Sequence, residues 1–146
     1  MINDERWRAI EQALASDLFS TPVAHFLVAA FLGEGIDEFM GHFTMLEASL
    51  GLQSDKWRKQ VSSSRIRALL RNEKAAASYG ELFELRSEYV HGRAMGVISG
   101  PARVEARRLA RQVANALVDA AEGLACDRPT FLQGLAPSKP PKALKT

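Results

Sequence analysis

The sequence predicts an all-α fold, a compact bundle of four to six helices. Apolar residues recur at three- and four-residue spacing along nearly the whole chain, and no segment keeps the two-residue alternation of a strand. Glycine and proline fall where helices would stop and start. With 146 residues, 47% apolar and 25% charged, the chain has the size and balance of one globular domain.

Asn3 or Asp4 caps a first helix reaching about Ser20, with Trp7, Ile10, Leu14 and Leu18 on one face. Thr21–Pro22 restarts a helix with proline at its first position, and Gly33-Glu34-Gly35 breaks or kinks it. A third helix is expected from Ile36 to Leu50, closed by Gly51. Ser54 caps a fourth, over about 55–71, with Trp57, Val61, Ile66, Leu69 and Leu70 inward. Asn72 stops it or caps the next helix, Glu73 to Val90 or His91, with Gly92 as the left-handed residue at its end. Residues 92–100 form a Gly-rich loop, Gly100–Pro101 opens a long helix to about Ala125, and residues 130–135 give one short turn. From Ala136 the sequence Pro-Ser-Lys-Pro-Pro-Lys reads as a disordered tail, so the domain spans 1–135 and the tail 136–146.

Cys126, the one cysteine, excludes an internal disulfide framework and suits a reducing, cytoplasmic compartment. The polar start (Asn3, Asp4, Glu5, Arg6) is unlike a signal peptide. The longest apolar stretch, Pro22 to Leu32, has 11 residues, contains His25 and is too short to span a bilayer. Charge is divided along the chain. Residues 1–54 hold 2 basic and 8 acidic side chains, whereas residues 55–146 hold 17 basic and 9 acidic. An anionic partner is therefore expected at the C-terminal two thirds, on a local patch rather than through the net charge of +2.

Two charges interrupt apolar arcs. At about 100° per residue, Arg86 falls among Tyr79, Leu82, Phe83, Leu85, Tyr89 and Val90, and Glu47 among Ile36, Met40, Phe43 and Leu50. Burying a charge unpaired costs several kcal/mol, so Glu47 and Arg86 are expected to pair between the third and fifth helices, and removing either should destabilise by a few kcal/mol. The forked guanidinium of Arg86 also suits phosphate, and pairing leaves donors for a ligand. His91 follows Arg86 by five residues, about 140° away on an ideal helix. On spacing alone His91 is an exposed helix cap. The two act together if the helix unwinds near Gly92 or if they meet across a subunit interface.

The segment Glu81-Leu-Phe-Glu-Leu-Arg86-Ser87-Glu-Tyr-Val-His91-Gly92 resembles the Arg-Ser-x-x-Val-His-Gly signature of HEPN domains, particularly the Apea-like group. Met45-Leu46-Glu47 resembles that group's Ala-Leu-Glu element, and Arg65-Ile-Arg67-Ala-Leu-Leu70 its Arg-x-x-x-Leu-Leu element, in matching order and spacing across roughly residues 36–125. The resemblance implies a helical bundle, usually a homodimer, with the arginine and histidine at the dimer cleft. Many such proteins are metal-independent ribonucleases that serve as toxins or in defence against phage, which implies RNA as substrate and an antitoxin or defence-system protein as partner. Others keep the fold as a non-catalytic module for RNA binding or assembly. The motif carries over to Arg86, Ser87 and His91. Many active members have Asn or Asp after the arginine; Ser87 is a common Apea-like form, and its hydroxyl hydrogen-bonds more weakly than a carboxylate.

Metal-free RNA cleavage needs a base for the 2′-hydroxyl proton, a cation for the charge developing on phosphate and an acid for the 5′-oxygen. Imidazole, which titrates near neutrality, fills the first and last roles. A two-fold dimer would bring two histidines and two arginines into one cleft.

Arg93, beside the motif, is a candidate phosphate contact. Arg107, Arg108 and Arg111 cluster opposite the apolar face of the last long helix, and Arg65, Arg67 and Arg71 form a second basic group. Each group reads either as an RNA-backbone track or as a solvated face. His25, in an apolar run, reads as a core residue and His42 as a surface one. The three histidines and Cys126 lack metal-ligand spacing, and no phosphate-binding or dinucleotide-binding glycine motif implies a cofactor.

Overall fold

Caps and apolar periodicity agree at most boundaries, and the resulting helices account for most of the chain. The computed structural model describes residues 2–92 and 97–139. Among these are seven α-helices: α1 (Asp4–Leu14), α2 (Val23–Leu32), α3 (Ile36–Leu50), α4 (Arg58–Leu70), α5 (Glu73–Val90), α6 (Gly100–Glu122) and α7 (Arg128–Leu135). A 3-10 turn occupies Asp17–Phe19, and no described residue lies in a strand. The count exceeds the expected four to six because residues 128–135 make a true helix. Asp127 caps it, accepting the Thr130 N–H at 2.9 Å, and Pro129 sits in its first turn.

The long α6 is the axis. Its buried Ala106, Leu109, Ala110, Val113 and Leu117 face the interior, and α1, α3, α4 and α5 pack around it. The α2–α3 and α4–α5 pairs are helical hairpins, and α7 lies against α4. The core joins Phe39, Phe43, Leu46 and Leu50 of α3 to Tyr79 and Leu82 of α5 and Leu132 of α7. Burial of each large apolar side chain contributes about 1.5–3 kcal/mol. At the α2–α3 crossing the backbones nearly touch. A Cβ on Gly41 would lie 2.7 Å from the Cβ of Ala30 and 2.8 Å from its Cα. The far side of α2, with Val28, Phe31 and Leu32, is exposed.

The first helix stops at Leu14 rather than Ser20, because the Ser16 hydroxyl donates to the Ala13 carbonyl at 2.6 Å and the chain turns into the 3-10 segment. Trp7 and Leu14 are half-exposed, whereas Ala13 and Leu18 are buried. Arg6 ties α1 to α6 through Asp119 at 2.5 Å and Asn115 at 3.0 Å.

The fourth helix starts at Arg58, three residues later than expected, and the reason is Asp55. Its carboxylate accepts the Leu52 N–H at 2.8 Å and a two-pronged pair from Arg65 at 2.7 and 2.9 Å. That holds Asp55 outside the helix. Trp57 then enters α4 in the left-handed region (φ 60, ψ 56), at a cost of about 1–2 kcal/mol. It is 71% exposed instead of inward.

Arg65 is 0% exposed. Besides Asp55 it donates to the carbonyls of Leu50 (2.7 Å), Leu132 (3.2 Å) and Ala136 (3.1 Å), and so satisfies the ends of α3 and α7. Arg128 does similar work: its Nη2 donates to the Ala48 and Gly51 carbonyls at 2.7 and 2.8 Å, and its backbone N–H to Asp17. The tail is not free from Ala136 onward. Ser138 is buried, its N–H donates to Gln133 Oε1 at 2.9 Å, and its carbonyl accepts the Lys56 N–H at 3.0 Å. Residues 140–146 lie outside the described residues.

Candidate active site

α3 and α5 run side by side in the core, and their edges hold the two charges. Arg86 Nη2 lies 3.8 Å from Glu47 Oε2, and the two side chains are 31% and 30% exposed. Both therefore sit at the rim of the apolar faces rather than at their centres. The buried positions of α3 are Phe39, His42, Phe43, Met45, Leu46, Ser49 and Leu50, an arc that ends at Phe43 and leaves Glu47 one step round the wheel. The guanidinium also stacks over the Phe43 ring, 5.7 Å from its centroid. Its Nε is shielded and has no hydrogen-bond partner. Much of the donor capacity of Arg86 is thus unspent.

α5 does not unwind between Arg86 and His91. It runs through Val90, and the His91 N–H still donates to the Ser87 carbonyl at 3.0 Å. His91 itself adopts φ −91, ψ 8, in the sparsely allowed bridge region that active-site residues often occupy. Gly92 follows at φ +65, where a left-handed residue ends the helix. Ser87 and His91, four residues apart, share one face, while Arg86 is turned about 140° away toward Glu47 and Phe43. His91 is exposed and Ser87 half-buried. Within one chain the arginine and the histidine are separated.

Beside Glu47 the hairpins leave a cleft of about 270 Å³, lined by Glu47, Leu52, Gln53, Arg58, Ser62 and Tyr79 among others. Burial pushes the Tyr79 hydroxyl well above the usual tyrosine range, and the nearby Glu47 adds to that. The Ser62 hydroxyl and the charges of Arg86 and Arg58 act the other way without prevailing. Tyr79 is therefore held neutral. Sequence periodicity assigned Tyr79 to the core and passed over Arg58 and Ser62. The usable signal was the run Lys56-Trp57-Arg58-Lys59, an aromatic residue among cations.

The candidate RNA contacts divide. Arg65 is corrected: it is fully enclosed and its donors are spent on Asp55 and backbone carbonyls, so it cannot reach an external phosphate. Arg107 pairs with Glu38 at 2.8 Å and Arg108 with Glu105 at 2.7 Å, while Arg111 lies over the Phe31 ring at 5.8 Å. These three point to different local partners. Arg67 pairs with Glu73 at 2.8 Å. Arg93 lies outside the described residues. The other two histidines exchange the places expected for them. His25 is exposed because α2 packs chiefly on α3, whereas His42 is 1% exposed and its Nδ1 lacks a hydrogen bond. Burial lowers the His42 pKa, helped by Arg107 and Arg111 and opposed by Glu38.

Among the described residues no group of three or more His, Cys, Asp or Glu side chains is placed to hold a metal ion, and no helix is long and apolar enough to cross a membrane. No family model, curated protein or solved structure matches this chain.

Proposed function

We propose that the chain is a metal-independent endoribonuclease of the HEPN type, cutting single-stranded RNA as a toxin or phage-defence effector. The observation that carries this reading is the state of the motif residues. Arg86 is held loosely at 3.8 Å from Glu47 with donors to spare, and His91 stands exposed in a bridge conformation at the helix end. The unbroken helix between them favours a composite cleft, in which Arg86 of one subunit works with His91 of a second copy. His91 takes the 2′-hydroxyl proton, the 2′-oxygen attacks the adjacent phosphorus, and Arg86 stabilises the pentavalent phosphate. An imidazolium returns a proton to the departing 5′-oxygen. The products are a 2′,3′-cyclic phosphate and a 5′-hydroxyl end. Ser87, on the His91 face, supports the site.

Cleavage of mixed-sequence single-stranded RNA in EDTA tests the proposal. His91→Ala should lower the rate 10²–10⁴-fold, the usual loss of a general acid–base group, with helical content unchanged. Arg86→Ala should do the same. The proximity of the Glu47 carboxylate, which offsets part of the Arg86 charge, favours a second reading: a HEPN module that binds RNA without cutting it. Equal background cleavage by wild type and His91→Ala, with RNA still bound by both, would put that reading first.

A further inference from the structure

Trp57 is a large apolar side chain left mostly exposed, on a left-handed backbone conformation that disfavours residues with a Cβ and that Arg71 also adopts. Strain of this kind persists where the surrounding structure imposes it, and it often marks a functional position. Here the Asp55–Arg65 pair imposes it, fixing the chain just before Trp57. In sequence Trp57 is flanked by Lys56, Arg58 and Lys59. Lys59 is committed to Glu84 at 2.6 Å, but Arg58 is exposed and makes no ion pair among the described residues. Asp55, the nearest acid in sequence, is neutralised by Arg65. Arg58 also lines the cleft that Glu47, Asp55, Ser62 and Tyr79 border. A planar aromatic surface, a free cation and a small cleft of mixed donors and acceptors therefore adjoin one another. A protein hot spot would need an apolar, dehydrated surround, and the residues that flank Trp57 in sequence, Lys56 and Arg58, are exposed cations. Stacking on an exposed indole with cations alongside is how single-stranded nucleic acid is held without sequence preference.

We infer that Trp57 stacks one base of a single-stranded RNA and that Arg58, at the mouth of the cleft it lines, meets the adjoining phosphate. The inference rests on the ribonuclease reading for its choice of RNA, but it concerns binding and not cleavage.

The test uses a Trp7→Phe background, in which Trp57 is the sole source of indole emission. A mixed-sequence RNA decamer should quench that emission, and less so as salt rises. Trp57→Ala, followed by filter binding or anisotropy of labelled RNA, should weaken binding about tenfold or more, the worth of one base stack, while Trp57→Phe keeps most of it. Arg58→Ala should weaken binding and reduce the salt slope by about 0.7, one phosphate contact on a single strand. RNA that is bound or cut without change in Trp57 emission, and equally well by Trp57→Ala, overturns the inference and leaves the nuclease reading standing. Quenching and binding without cleavage by wild type uphold the inference and remove the nuclease. RNA neither bound nor cut removes both.

Discussion

Two ion pairs of similar appearance on paper differ in consequence. Asp55–Arg65 is closed to water and two-pronged, and the arginine also holds the ends of two helices. Asp55→Ala would leave a buried guanidinium unmatched, at a cost of about 3–5 kcal/mol. Glu47–Arg86 is long and one-third exposed, so Glu47→Ala should cost about 1 kcal/mol or less in a urea midpoint series. That is smaller than the few kcal/mol its place in an apolar arc implies. The Asp55 carboxyl is also sensitive to acid. Burial disfavours its charge, but hydrogen bonds from Arg65, the Leu52 N–H and Ser138 outweigh that and set its pKa below the usual carboxylate range. A depressed folded pKa means the unfolded chain binds the proton more readily. The pair's stabilisation is then complete above the unfolded value of about 3.9 and drains away as pH falls through the lower folded value. Asp55→Asn should flatten the stability–pH curve below about pH 4, measured by denaturation at fixed salt.

At the scale of elements, α3 and α5 were legible to the residue, because apolar spacing and stop agree in both and α5 has a cap as well: Asn72 accepts the Ala75 N–H at 3.2 Å, and Gly92 ends the helix. α1 and α4 were not. In each, a polar side chain near the boundary bonds to its own neighbourhood (Ser16 to Ala13, Asp55 to Leu52) and takes residues out of the helix. Trp57 misled for the same reason, since its assignment to the inner face assumed a helix already under way. The burial of His42 was readable, three residues from Phe39 and four from Leu46. The α2–α3 crossing gives a sharp expectation. Gly41→Ala should destabilise by about 1–3 kcal/mol although alanine is the better helix former, because its methyl would meet the backbone of Ala30. A rise in thermal midpoint for Gly41→Ala would contradict the close approach.

For the whole molecule, the charge split along the sequence does not survive as one basic face. Arg65 is internal, and Arg67, Arg107 and Arg108 face Glu73, Glu38 and Glu105. No one-dimensional count could show this, since the cancelling acids come from other helices or other turns. The pattern of Arg86, Ser87 and His91 was legible in sequence, and so was the separation of Arg86 and His91 on an ideal helix; whether the helix unwinds before Gly92 was not, and it stays intact through Val90. The proposed composite site therefore requires a second copy near the end of α5. Light scattering at micromolar concentration should give twice the monomer mass of 16.0 kDa. A monomer that nevertheless cleaves RNA would discard the two-chain arrangement.

The strap formed by residues 136–139 turns the backbone amide of Lys56 into a clock. That amide belongs to no helix and would trade its hydrogen with solvent quickly were it not donated to the Ser138 carbonyl. Its exchange rate then measures how often the chain end lifts away from the Asp55–Arg65 pair beneath it. Because Trp57 is the very next residue, the same lifting would loosen the segment that holds the indole in its left-handed pose. Slow exchange at Lys56 would mean that the far end of the chain keeps Trp57 presented to solvent.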